Sequence, residues 1–296
     1  MEQAELSYSN FTHFVGIDWT GAKGRAHAGL AIALCAVGEG APKLISPPSG
    51  KRRWSREECA AWISAGMGLG EGARALVGLD SSFGMPFADE ETYLPGAPLP
   101  ADVRGLWAHV DTLCAGDADL YGGGFVDAHA EHYLRGDIKG ARYSRRMRVA
   151  ERLAVDSGAG PCESVFHLVG PSQVGLSGLS TMRMLHRLNQ VPHVALWPFD
   201  EDLEKPVVVV EIYAAAFAAL AGHKGKFRRR EDLKSALLRL GATGPLRVGG
   251  DMSDHAADAV ITAAALRNIH DVRKYWNPAG LSTMVRRTEG WVFGVE

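Results

Sequence analysis

Three blocks of apolar residues each run into a single carboxylate: FVGID reaches Asp18, LVGLD reaches Asp80 and VVVVE reaches Glu211. A fourth acidic site, His255 and Asp258 in SDHAADAVITAAAL, falls where a helix should begin near the C-terminus. An ionised carboxylate beside a buried core costs several kcal/mol unless something compensates it. A divalent cation compensates several acids at once, and hard cations such as Mg2+ and Mn2+ take oxygen ligands. These residue types therefore point to metal-dependent chemistry.

The elements around the acids decide whether they can meet. Short apolar runs read as strands of a mainly parallel sheet buried on both faces, and in such sheets the ligand site lies beyond the carboxyl ends of the strands. Asp18, Asp80 and Glu211 all fall at such ends. His255 and Asp258 are three apart and Asp254 and Asp258 four apart, so each pair shares a helix face. Upstream, FVGID, the turn TGAKGR, the run AHAGLAIAL and a segment near KLISP read as an antiparallel meander. SREECAAWISAGM then reads as a helix capped by Ser55, with Cys59, Ala60, Trp62 and Ile63 at helical spacing.

Strand, strand, strand, helix, strand, helix, strand, helix is an α/β order. Residues 1–85 and 206–296 are read as the core. Between them, 86–205 is read as a largely helical insertion or cap packed on that core, with helices over YSRRMRVAERLAV and GLSTMRMLHRLNQ. GWVFGV near the C-terminus is a candidate edge strand.

Taken singly, each acid has a plain structural explanation. Asp18 and Asp80 precede WTG and SSFG, where an aspartate caps a turn. Glu211 fits an arginine partner or a solvated strand end, Asp254 fits a helix N-terminus, and His255 fits a hydrogen-bonded surface histidine. Their joint occurrence has no shared structural purpose.

Bulk composition is that of an ordinary globular protein: 296 residues, 46% apolar, 22% charged, net charge −2. No global basic field marks a nucleic-acid binder, so such a partner needs a local patch. Lys224, Lys226, Arg228, Arg229 and Arg230 in GHKGKFRRR, and Arg145, Arg146 and Arg148 in SRRMR, are candidates for holding phosphates, with Phe227 and Tyr143 as candidate stacking rings. A solvated face explains either charge run equally well. Cys35, Cys59, Cys114 and Cys162 form no CxxC pair, which fits a reducing cytoplasm. MEQAELSYSNF has no signal-peptide pattern, and VVVVEIYAAAFAALAG is too short and too charged to span a membrane.

VGIDWTGAKGR, VGLDSSFGMP, RRMRVAE, FHLVGPSQVGLSGLSTMRML, VVEIYAAAF and DHAADAVITAAAL, in that order, resemble a domain-of-unknown-function family of predicted RNase H-like nucleases. More broadly, the order of the acids looks like the RuvC-like side of the RNase H-like superfamily. The resemblance implies an α/β fold whose mixed sheet has three antiparallel strands followed by parallel ones, flanked by helices. It implies Asp18, Asp80 and Asp258 as metal ligands. His255 matches a variant in which histidine replaces the first aspartate of the helix motif, and Glu211 matches a family position on the later strand. The chain departs at Ser81 and at Ala214 or Ala215, where the family often has proline.

The activity implied is phosphodiester hydrolysis of nucleic acid, DNA or RNA, by two Mg2+ or Mn2+ ions about 3.5–4 Å apart. Asp18 would bridge the ions and His255 would bind metal or orient water. Two other readings compete. IDWTGAKG could grip nucleotide phosphate as the first hairpin of sugar kinases and actin-like ATPases does, making a phosphotransferase. Alternatively, the acids are relics in a non-catalytic nucleic-acid-binding relative. GMGLGEGARA lacks the strand-to-helix context of a dinucleotide fingerprint, GLSGL is one residue off a nucleophile elbow, and DAHAEHYLRGD reads as a solvated helix face.

Overall fold

Apolar runs too continuous to have a wet face build the centre of a six-stranded sheet. The computed structural model describes residues 10–156, 161–170, 173–246 and 253–296. Strands β1 (His13–Asp18), β2 (Ala31–Ala36) and β3 (Lys43–Leu44) form the meander, followed by helix α1 (Arg56–Ser64) and strand β4 (Ala75–Asp80). Helices α2 (Val103–Leu113) and α3 (Gly123–Ala128), strands β5 (Leu134–Arg135) and β6 (Ile138–Lys139), helix α4 (Val149–Asp156), strand β7 (His167–Leu168) and helix α5 (Val174–Leu188) come next. The chain then forms β8 (Val194–Leu196), β9 (Val207–Glu211), α6 (Ala214–Leu220), α7 (Arg230–Arg239) and α8 (Asp254–Ile269). Two short helices, α9 (Arg273–Trp276) and α10 (Thr283–Thr288), complete it.

The sheet runs in the order β3-β2-β1-β4-β9-β8. β1 pairs antiparallel with β2 and β2 with β3, whereas β1, β4, β9 and β8 are mutually parallel. The fold is therefore α/β, with a mixed sheet of antiparallel and then parallel strands flanked by helices. β8 lies within the stretch read as an insertion yet forms the outer parallel strand. Among the described residues, the rest of that stretch holds four α-helices, two 3-10 turns and a small second sheet, β6-β5-β7.

Each sheet face buries its own apolar core. Phe14, Leu76, Val208 and Val210 point into one, shared with α6, α7 and α8. Val15, Ile17, Val77, Leu79, Val207 and Val209 point into the other, shared with α1, α2 and α5. On the first face α8 lies against the backbone of β1. A Cβ placed on Gly16 would stand 2.2 Å from the Ala259 carbonyl oxygen, and one on Gly78 would stand 2.7 Å from Leu266 Cδ1. The glycines of VGID and VGLD and the alanines of α8 are what permit this approach.

Three local differences have physical causes. β2 begins at Ala31, five residues into AHAGLAIAL, because His27 is anchored elsewhere: its Nε2 lies 2.8 Å from Asp119 Oδ2 and its backbone N–H donates to Trp54 O. YSRRMRVAERLAV is helical only from Val149, since Arg146 and Arg148 turn inward to bury their guanidinium groups. GWVFGV contributes one bridge, Val292 beside Glu211, rather than a strand. No described helix is long and apolar enough to cross a membrane.

Candidate active site

Parallel pairing in register places Asp18 of β1 directly beside Asp80 of β4, on strands about 4.8 Å apart. Side chains alternate along a strand. Asp18 therefore shares a face with Gly16 two residues earlier, and Asp80 with Gly78, and that face lies under α8. Thr262 of α8 packs over both glycines. One helical turn earlier is Asp258, so the helix delivers its carboxylate to the strand ends. Ser253 fixes where α8 starts, its hydroxyl accepting the Ala256 N–H at 3.1 Å. His255, on the first turn, places Nδ1 2.6 Å from Asp18 Oδ2.

The electrostatics are those of crowded like charges. Burial raises the Asp18 pKa against the opposing pull of His255. Burial, then the charges of Asp18 and Asp258, hold Asp80 well above the usual carboxylate range. Asp258 is pushed up to about 6, by burial first and Asp18 second. The hydrogen bond that the imidazole makes to Asp18 raises the His255 pKa. Asp80 also accepts the backbone N–H of Ala214, a donor that proline at this position would remove.

Glu211 does not join this group. Its register partner is Leu79, not Asp80, so it faces the opposite side of the sheet. There it is 2% exposed and both carboxylate oxygens accept from Arg148, one of them also taking the Phe83 N–H at 2.8 Å. Arg148 further donates to Glu151 Oε1 at 2.8 Å and to the Glu289 carbonyl at 3.0 Å. Burial alone would lower the Arg148 pKa, but Glu211 and Glu151 hold it well above its ordinary value. Glu211 lines the same cleft and its charge reaches Asp80, but from the opposite sheet face and with its carboxylate taken up by Arg148.

The basic candidates separate in the same way. Arg146 is buried, with a bidentate pair to Asp89 and bonds to the carbonyls of Pro86, Thr92 and Tyr93, so it has nothing left to offer phosphate. Phe227 is 2% exposed and stacks on His223, so it is a core ring. Tyr143 directs its hydroxyl to His167 Nδ1. Lys224, Arg228 and Arg229 are exposed, and Arg229 pairs with Asp232 at 2.7 Å. Lys226 reaches the site, bonded to Asp254 at 2.9 Å. Arg145 reaches it too, with two 3.0 Å bonds to Glu163.

Asp18, Asp80, His255, Lys226, Arg145 and the Arg148–Glu211 pair line one cleft of about 970 Å³ above the strand ends. Its roof includes the β1–β2 loop and the first turn of α5. Trp19 donates to Ser180 Oγ at 2.8 Å, and a Cβ on Gly21 would stand 2.2 Å from the Ser177 nitrogen, so loop and helix are in direct contact. Arg56, fully buried, holds the same loop through the carbonyls of Thr20 and Ala22. Lys23 and Tyr121 also line the cleft. The sequence marked Lys23 only as part of IDWTGAKG, the phosphate-gripping hairpin of the phosphotransferase reading, and nothing around Tyr121 marked it.

The donors fit a hard cation in chemistry. All three carboxylates offer oxygen, and each has its pKa raised, with Asp18 contributing to the shifts of the other two. The protein's own nearby cations are committed, Lys226 to Asp254 and His255 to Asp18. Among the described residues, no three His, Cys, Asp or Glu side chains form a ready-made chelate, so binding would have to draw these carboxylates closer. No family model, curated protein or solved structure matches the chain.

Proposed function

We propose that this protein is a metal-dependent nuclease of the RNase H-like type, hydrolysing phosphodiester bonds in nucleic acid. One observation carries the reading: Asp18 and Asp80, neighbours in register, lie beneath Asp258 on a single sheet face, where burial and the acids' own charges keep Asp80 and Asp258 raised although His255 pairs with Asp18. Asp18, Asp80 and Asp258 would hold Mg2+ or Mn2+, which when bound activates water and steadies the leaving oxygen. His255 orients the Asp18 carboxylate through its 2.6 Å contact. Lys23 places positive charge at the cleft where a substrate phosphate must lie, and Lys226, paired with Asp254, lies beside it. Four unpaired cysteines support action in a reducing cytoplasm.

The test is cleavage of labelled DNA and RNA, single-stranded, duplex and branched, in Mg2+, Mn2+ or chelator, beside Asp18→Asn and Asp258→Asn proteins. Metal-dependent cutting lost in both variants is expected. Cutting that survives both, or no cutting of any substrate, defeats the proposal. Saturable ATP binding in that second case would favour the phosphotransferase reading, for which the Lys23-bearing loop on the cleft speaks. Metal-independent binding of nucleic acid without turnover would favour a non-catalytic role.

A further inference from the structure

We infer that the cleft accepts an unpaired nucleotide, the single-stranded end of a nucleic acid, with its base on Tyr121 and a phosphate beside Lys23. This rests on the nuclease reading and adds the class of substrate.

Size is the first argument. A space of about 970 Å³ falls in the range of ~300–1,000 Å³ that encloses small ligands. The walls do not yield readily. The roof loop is pressed on α5 at Gly21 and bonded through Trp19, and α5 buries ten of its residues.

Charge is the second. A groove that tracks a long backbone needs a row of cations to neutralise successive phosphates. Here Arg145, Arg148 and Lys226 each face a carboxylate partner. Lys23 is the lining lysine or arginine without one among the described residues, and it is exposed. One uncommitted cation suits one or two phosphates.

The third is a platform. Tyr121 is half-buried on the wall supplied by the 86–205 stretch, and Lys23 Nζ lies 6.0 Å from its ring centroid. Leu176 and Val174 line the same cleft. Lys23 lies over the ring face on an exposed, flexible side chain, so a base that displaces it onto the aromatic surface meets aliphatic side chains nearby and leaves the ammonium for the attached phosphate, whichever base it is.

The measurement is fluorescence anisotropy in Mg2+ with Asp18→Asn protein, so that nothing is cut during titration. The probes are linear single strands of about twelve nucleotides, DNA and RNA, and a dumbbell duplex closed at both ends, since single-strand sites span ~4–16 nucleotides. Single strands of at least one chemistry should bind about tenfold tighter than the dumbbell. Adding Tyr121→Ala should weaken that binding about tenfold and Lys23→Ala several-fold, whereas Tyr121→Phe should stay within twofold. Equal or tighter binding of the dumbbell, no binding of either single strand, or full affinity in Tyr121→Ala would overturn the inference. Wild-type protein that cuts the dumbbell would sink this inference and leave the nuclease reading standing. Expected binding without any cutting by wild type would do the reverse.

Discussion

Asp18 and Asp80 are register partners in adjacent parallel strands, and both side chains rise from the sheet face that α8 covers. Two carboxylates so placed repel each other, and Asp258 adds a third charge. A ligand that binds only the folded state stabilises it by mass action, about 2.7 kcal/mol at a hundred times its Kd. Mg2+ or Mn2+ should therefore raise the thermal midpoint of the wild-type protein, and the rise should vanish in Asp18→Asn and Asp80→Asn. Scanning fluorimetry against metal concentration reads this directly. An undiminished rise in both variants would place the metal elsewhere.

Asp258 should make the metal-free protein less stable as pH rises. Its pKa is near 6 in the fold against an ordinary 3.8, so the folded state holds a proton that the unfolded chain has already released. Stability is lost as pH climbs from about 4 to about 6 and stays lost above. Asp258→Asn removes this charge, so in chelator at pH 7 it should be more stable than wild type by about 2 kcal/mol, a gap that closes towards pH 4. Urea unfolding at the two pH values tests it, and a gap of constant size would contradict the assignment.

Glu211 should behave as a structural residue. Removing one partner from a buried ion pair costs about 3–5 kcal/mol because the other charge is stranded. Arg148 keeps Glu151, so Glu211→Gln should lie at the lower end, about 3 kcal/mol. The metal-induced rise in thermal midpoint should persist in the fraction that folds. Its loss, with stability unchanged, would return Glu211 to the metal site.

Gly16→Ala should damage site and fold together. The added methyl meets the Ala259 carbonyl, backbone against backbone, so α8 must move off β1. Overpacking of this kind costs about 1–3 kcal/mol, and the same movement carries Asp258 away from Asp18. Unfolding midpoint and metal affinity should both fall, whereas an exposed change such as Val37→Ala should leave both in place. Wild-type values for Gly16→Ala would mean that the helix has slack the structure does not show.

The residues that could be read from sequence are those whose partners are local or whose pattern is periodic. FVGID, LVGLD and VVVVE announced their strands, and SDHAADAVITAAAL announced α8. The side that Glu211 faces could not be read the same way. VVVV is apolar on both faces, so nothing in it reveals the parity that pairing with Leu79 fixes. Arg146 and Arg148 looked like a surface charge run because their anchors, Asp89 and Glu211, lie 57 and 63 residues away. Lys23 and Tyr121 come together only through tertiary folding, across 98 residues (121 − 23).

The contact between His255 and Asp18 spans 237 positions of the chain. At a synthesis rate of about 5–20 residues per second, roughly ten to fifty seconds separate the making of its two ends. Until then the nascent protein carries Asp18 and Asp80 on neighbouring strands without α8 above them. Until residues 253–269 are made, the two strand aspartates lack the helix that brings Asp258 over them. Closing so long a loop is slow, so the set of three acids forms only when α8 docks on β1.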